Sequence, residues 1–293
     1  MSRKDNETIN RFLSDFAREL KSEKQIDFVL LFGSAARGEF QVGISDIDLI
    51  IQVKNKKDIK RIEKKAEEIF WRLDRKHKTG LKEVCSTGRS DIFSIFEKQV
   101  KLYKPFEVIG PKDILWKQGK IDSSALGVFA ALAPVNQFAK KVKAEGRILV
   151  GRNVLEEITI KETLSDKVKA MILPYVLSIF SIIVSVFSTE KGLKYATKAV
   201  LYAIDDQLAV MEERTAKKAS LNLRILKTEL GGYYSIRLAK EALYVKKNFE
   251  KVKREWGFID KFSFCMQAPP YIAYNNFLSA VNYILKFCRN LRK

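Results

Sequence analysis

The chain has one histidine, His77, and only three cysteines in 293 residues. A histidine-rich metal centre and a Ser-His-Asp triad are therefore ruled out as organising chemistry. His77 sits in the run DRKHKTG and reads as a solvated residue at a helix end. Cys85, Cys265 and Cys288 are far apart, odd in number and in no CxxC spacing. That excludes a disulfide framework and a structural zinc site, and makes a reducing, cytoplasmic setting the expectation. No GxxxxGK[ST] and no GxGxxG occurs, so the usual ATPase and dinucleotide-binding readings have no footing. The opening MSRKDNETINRF is charged and lacks an apolar core, unlike a secretory leader. Internal repeats and low-complexity linkers are missing too.

Acidic residues are in short supply. The chain carries 54 Lys+Arg against 35 Asp+Glu, a formal net charge of +19. Residues 1–115 hold 24 basic and 19 acidic side chains, a balance of +5. The remainder holds 30 and 16, a balance of +14. The excess lies in the C-terminal part, where a basic surface attracts polyanions and nucleic acid above all.

What is plentiful is apolar residues, 46% of the chain, enough for a sizeable core and, at this length, for two domains. Residues 170–189 (AMILPYVLSIFSIIVSVFST) have no charge over a length that could span a bilayer. Four serines and Pro174 lower its hydropathy, so a buried helix is expected and no membrane.

Helical spacing over 7–24 puts Ile9, Phe12, Leu13, Phe16 and Leu20 on one face. Residues 28–32 (FVLLF) read as a buried strand ended by Gly33, and 47–53 (IDLIIQV) as a second strand with Asp48 set early in it. Residues 57–76 form an amphipathic helix stopped by Gly80. The run 90–104 is ambiguous, and 105–109 (PFEVI) looks like a third strand. From about 113 onward the pattern is helical. Its clearest helix covers 234–256, with Leu238, Ala242, Val245, Phe249, Val252 and Trp256 on one stripe. Lys240, Lys247, Lys251 and Arg254 fall opposite, as a solvated back or as a phosphate-binding face. The fold class is therefore α+β: a small mixed-sheet domain with flanking helices over 1–114, then a basic all-α domain over 115–293.

One segment carries chemistry: VLLFGSAARGEFQVGISDIDLIIQV. A buried strand ends at Gly33, where a glycine lets the backbone turn and a phosphate come close. Ser34 begins a short helix, and helix N-terminal amides with a hydroxyl favour an anion. Asp46 and Asp48, two apart on a strand, point to one face. Two such carboxylates repel each other unless a divalent cation lies between them, and hard oxygen ligands select Mg²⁺ or Mn²⁺. Phosphoryl-type transfer gains most from that arrangement and needs no histidine.

These residues resemble the fingerprint of the DNA polymerase beta nucleotidyltransferase superfamily: strand, Gly-Ser, about nine to thirteen residues, then Asp-hydrophobic-Asp. Eleven residues, 35–45, separate Ser34 from Asp46 here. Arg37-Gly38 matches the Gly-Ser-x-x-Arg-Gly variant of small bacterial and archaeal members. The likeness is good over 26–54 and loose to about 110. It implies an NTP substrate, with ATP expected, seated by Gly33 and Ser34, and metal held by Asp46 and Asp48. It also implies a third carboxylate on a neighbouring strand. Glu107 in PFEVI and Asp91 in SDIFSIF are the two candidates, and spacing favours Glu107 as catalytic and metal-binding residue. Arg37 could reach the triphosphate or pair with Glu39, and Lys101 and Lys104 stand as similar candidates. The acceptor is open: RNA through the basic domain, a protein hydroxyl, or a small molecule. A non-catalytic, antitoxin-like nucleotide-binding module is the alternative. A fused nuclease toxin is disfavoured, because no histidine after His77 can complete the Arg-x4-6-His motif. Oligomeric state is not legible.

Overall fold

The computed structural model describes residues 3–40, 45, 47–79, 81, 106–116, 120–121, 134–160, 163–211, 219–231 and 235–291. The chain divides into two compact units. One comprises 1–131 and 138–161, and the other 132–137 and 162–293.

Among the described residues, the first unit is built on a four-stranded mixed sheet. Helix α1 (Arg3–Leu20) leads into strand β1 (Ile26–Phe32), a one-turn helix α2 (Gly33–Ala36) and strand β2 (Asp48–Val53). Helix α3 (Ile59–His77) follows, then strand β3 (Phe106–Ile109), a small ribbon of β4 (Ile114–Leu115) and β5 (Lys120–Ile121), helix α4 (Val135–Glu145), whose residues 135–137 belong to the second unit, and strand β6 (Arg147–Gly151). The sheet order is β3-β2-β1-β6. β1 runs antiparallel to β2 and β6, while β2 and β3 are parallel. The first three strands and α3 match the elements read from periodicity. β6 does not: it lies well beyond residue 115, in a stretch read as helical, and supplies one edge of the sheet, opposite β3.

Alternation sorts the sheet residues into two cores. Val29, Leu31, Leu49, Ile51 and Phe106 face α1 and α3, where the fully buried Phe12 and Phe16 each meet the buried Phe70 edge to face. Phe28, Leu30, Ile50 and Ile109 face the other way, onto Ala139 and Val142 of α4.

α1 and α3 are also clasped at the surface. Glu23 binds Arg61 and Lys65, and Asp15 binds Lys76 at 2.8 Å and His77 at 2.9 Å. Hydrogen bonds from Lys76 and then His77 hold the Asp15 carboxyl down at about 2. His77 is thus not the solvated residue expected. Its ring is mostly covered and stands edge-on to Phe12. α3 stops earlier than Gly80: Lys78 takes the left-handed conformation, φ 51°. The buried Asp74 carboxylate then accepts from the Thr79 hydroxyl and the Leu81 amide.

Gly151 at the end of β6 has φ +81°, and a Cβ there would come within 2.9 Å of the Asp27 carbonyl carbon. Gly151→Ala should therefore cost about 2 kcal/mol or more, from the left-handed backbone and the overlap together. Denaturant unfolding checks this, and a midpoint equal to wild type would contradict the packing described.

The second unit is helical: α5 (Leu164–Phe187), α6 (Thr189–Val210), α7 (Ala219–Leu230), α8 (Arg237–Lys247), α9 (Phe249–Glu255) and α10 (Phe258–Leu291). The single helix expected over 234–256 is two, because Asn248 leaves helical geometry at φ −123°, ψ 33°. The apolar stripe survives the break, with Leu238, Ala242, Val245, Phe249 and Val252 buried. Lys240, Lys247, Lys251 and Arg254 are exposed on the opposite side.

α5 starts with a capping box, Thr163 and Asp166 each accepting from the other's backbone amide. Asn136 also donates to Asp166, at 2.8 Å. Burial pushes the Asp166 carboxyl up, but the bonds from Thr163 and Asn136 outweigh it and hold it below the usual range. A depressed carboxyl adds stability above its unfolded pKa, about 3.9, and that stability is lost as pH falls through the folded value. Asp166→Ala should cost about 1–2 kcal/mol at pH 7 and less at pH 3. Urea midpoints at the two pH values test it, and equal losses at both would contradict the assignment.

Among the described residues, α5 is long and apolar enough to cross a membrane, with a mean hydropathy of 2.3 over its best window. Only 33% of that window is buried, so it is not the buried core helix expected from its sequence.

Candidate active site

Three strands bring their ends to one edge of the sheet. β1 ends at Phe32, whose register partner is Asp48, the first residue of β2. β3 begins beside them, with Leu49 opposite Phe106 and Ile50 opposite Glu107. The first residue of β6, Arg147, pairs with Leu31 at the same edge.

The turn after β1 depends on Gly33, at φ +71°. Its absent side chain leaves the space that the Asp48 carboxylate fills. A Cβ at Gly33 would overlap Oδ2 of Asp48 and sit 3.1 Å from its Cγ. Ser34 is the second residue of α2 and is half-buried. Beyond it the chain closes on itself, with the Arg37 amide donating to the Gly33 carbonyl and the Glu39 amide to the Ser34 carbonyl at 2.8 Å. The Gly-Ser step is thus a tight loop lying against the carboxylate of β2.

Glu107 is opposite Ile50, and Ile50 is two residues from Asp48 on β2. In-register partners share a face, so Asp48 and Glu107 project from the same side of the sheet, one step apart. Both are partly exposed. Asp46, the other member of the predicted pair, lies outside the described residues, as do Asp91, Lys101 and Lys104. The strand starts at Asp48 rather than at 47, so only Asp48 of the pair is placed on it here.

Arg37 is tied to two carboxylates: Glu39 at 3.2 Å and Glu145, the last residue of α4, at 2.5 Å. The guanidinium therefore fastens the loop to α4. Glu145 has no counterpart in the motif reading, since it is 108 residues away in sequence. Beside the site, Ser45 is buried and its hydroxyl finds no hydrogen-bond partner among the described residues. Such a group is costly unless something polar meets it.

The donors suit a hard divalent cation: Asp48, Glu107 and, from its place in the sequence, Asp46 offer only oxygen. Among the described residues no cluster of three such side chains is found, and Asp46 is not among them. The cradle that Gly33 leaves for the Asp48 carboxylate is the feature that fits a metal-and-phosphate centre.

Residues 13–145 match the family model described as the nucleotidyltransferase domain. Over those residues the chain is similar to that family, which is consistent with the polymerase beta-type superfamily, and a mostly helical region follows. No curated protein and no solved structure matches it.

Proposed function

We propose that the protein transfers a nucleoside monophosphate from an NTP, ATP first among them, to an acceptor hydroxyl and releases pyrophosphate. The seating of Asp48 against Gly33, with Glu107 on the same sheet face, carries this reading. Asp46, Asp48 and Glu107 would hold Mg²⁺ or Mn²⁺. When bound, such an ion draws charge from the triphosphate and acidifies the attacking hydroxyl.

The chain's own residues account for the rest. Gly33 lets the triphosphate approach the backbone, and the Ser34 hydroxyl and adjacent amides donate to its oxygens. Glu107 would accept the proton of the attacking hydroxyl, or complete the cation's ligands. Arg37 keeps the loop in position through Glu39 and Glu145.

The acceptor we favour is RNA, held by the exposed lysines of α8 and α9. The +14 balance of the C-terminal part supports this. The decisive assay supplies α-labelled ATP, Mg²⁺ and RNA. Label should enter the RNA, and RNA binding should fall steeply with added salt. Mg-ATP binding with no transfer to any acceptor would replace this reading with that of a regulatory nucleotide-binding module. A cytoplasmic setting goes with the proposal, on the strength of only three cysteines, in no paired spacing.

A further inference from the structure

α5 is apolar on the wrong side for a core helix. Its inward face is small and hydroxylic: Ala170, Pro174, Ser178, Ser181 and Ser185 are buried. Those three serines donate back to carbonyls of their own helix. α6 comes so near that a Cβ at Gly192 would lie 2.7 Å from the Ser185 Cα. The outward face carries the large side chains. Leu164, Val168, Ile172, Ile179, Ile183 and Phe187 are among nine that are 36–71% exposed. At about 100° per residue the buried and exposed sets occupy opposite arcs.

The stripe is longer than one helix needs and is widened by a second. The Asn276 amide donates to the Met171 carbonyl, and Lys167 stands over the Tyr283 ring at 3.9 Å. α10 therefore runs antiparallel alongside α5. Phe277, Val281 and Ile284 are exposed on α10, next to that contact line. Because antiparallel helices turn in opposite senses seen from one end, both stripes open to the same side.

We infer that this face pairs with the same face of a second copy of the chain. Three observations point to that occupant. First, the area is right: nine large side chains of about 150–200 Å² each, roughly half exposed, offer some 700–900 Å², close to each partner's share of a standard interface. Second, Val168, Ile172, Ile179, Ile183 and Val186 step by fours and threes or their sum, the spacing a long helix uses to pack on another helix. Antiparallel pairing about Tyr175 to Ile179 would set Ile172 of one copy beside Ile183 of the other, closing the pair by a two-fold axis. Third, residues 170–189 bear no charge, so this length of the face has nothing to pair with a charged partner and is matched by an equally uncharged one. α6, which packs along it, carries Glu190, Lys191, Lys194, Lys198 and Asp205, so α5 cannot enter a bilayer without dragging them in.

Sedimentation velocity of the full chain, with wild type and Ile179→Glu compared, tests this. The wild type should sediment at twice the chain mass at about 10 µM. Each copy carries +19 and the contact itself is uncharged, so the dimer should tighten as salt rises, the opposite of polyanion binding. Ile179→Glu should weaken the dimer at least about 100-fold with circular dichroism unchanged, since the position is exposed, and its melting temperature should fall only to that of the dissociated wild type. Ile183→Asp serves as a second, independent variant. A wild type that stays monomeric at about 50 µM overturns the proposal, as does dimerisation indifferent to both variants. Flotation of a monomeric wild type with phosphatidylcholine vesicles, lost in Ile179→Glu, would give the face to a membrane and overturn it equally.

Discussion

Asp48→Asn should lower nucleotidyl transfer by at least about 1,000-fold while leaving the fold intact. The exchange keeps size and shape, so the amide still fits the space over Gly33, and the backbone pairing of residue 48 with Phe32 does not involve the side chain. What disappears is the negative charge. A hard cation bound by oxygen donors depends on that charge, and so does the triphosphate that the cation neutralises. Single-turnover transfer from α-labelled ATP is the measurement, with unfolding curves as the control for folding. Loss of no more than about tenfold would remove Asp48 from the chemistry. Glu107→Gln, run beside it, decides the third acid. If Glu107 accepts the proton, the loss should shrink as pH rises and the acceptor hydroxyl ionises unaided. If it only binds metal, added Mn²⁺ should recover part of the rate at constant pH.

Much of the site was legible because it is local. Val29 to Phe32 and Leu49 to Ile51 are unbroken apolar runs, and a buried strand of that kind declares itself by length and by the glycine that ends it. Gly33 and Ser34 follow by turn chemistry. Glu107 was only a candidate in one dimension; the parallel register that sets it opposite Ile50 is what puts it on the face of Asp48. Glu145 had no local signal at all, since its contact with Arg37 spans 108 residues. β6 was missed because RILVG is short and half-exposed, an edge strand without a full apolar run. The break at Asn248 was missed for the opposite reason: the buried stripe continues across it, so periodicity reports one helix where the backbone makes two. α5 shows a further limit. Hydropathy says that a helix is apolar but not which side meets the protein. The serines at 178, 181 and 185 held that information, since three hydroxylic residues spaced three and four apart mark a face where another helix comes close.

Gly33→Ala should be nearly as damaging as loss of the carboxylate itself, though by a different route. The added methyl group overlaps Asp48 Oδ2, and the residue's φ of +71° costs any L side chain about 1–2 kcal/mol. The conflict can be relieved in two ways. The loop can flatten, which moves Ser34 and strains the Arg37 bridge to Glu145, or the Asp48 side chain can rotate away from the cradle. Both separate the phosphate-binding turn from the metal-binding carboxylate, and a displacement of about 1 Å at a reacting centre is enough to cost roughly 100-fold in rate. The expected result is therefore a fall of about 100-fold or more in transfer together with a loss of about 2 kcal/mol in stability. Asp48→Asn should show the first without the second. The double variant separates the two effects. If Gly33 acts by positioning Asp48, adding Gly33→Ala to Asp48→Asn should cost little further activity, because the carboxylate it displaces has already gone. Full additivity of the two losses would instead mean that Gly33 serves the triphosphate on its own account, through close approach of its backbone, and that the packing against Asp48 is incidental to catalysis.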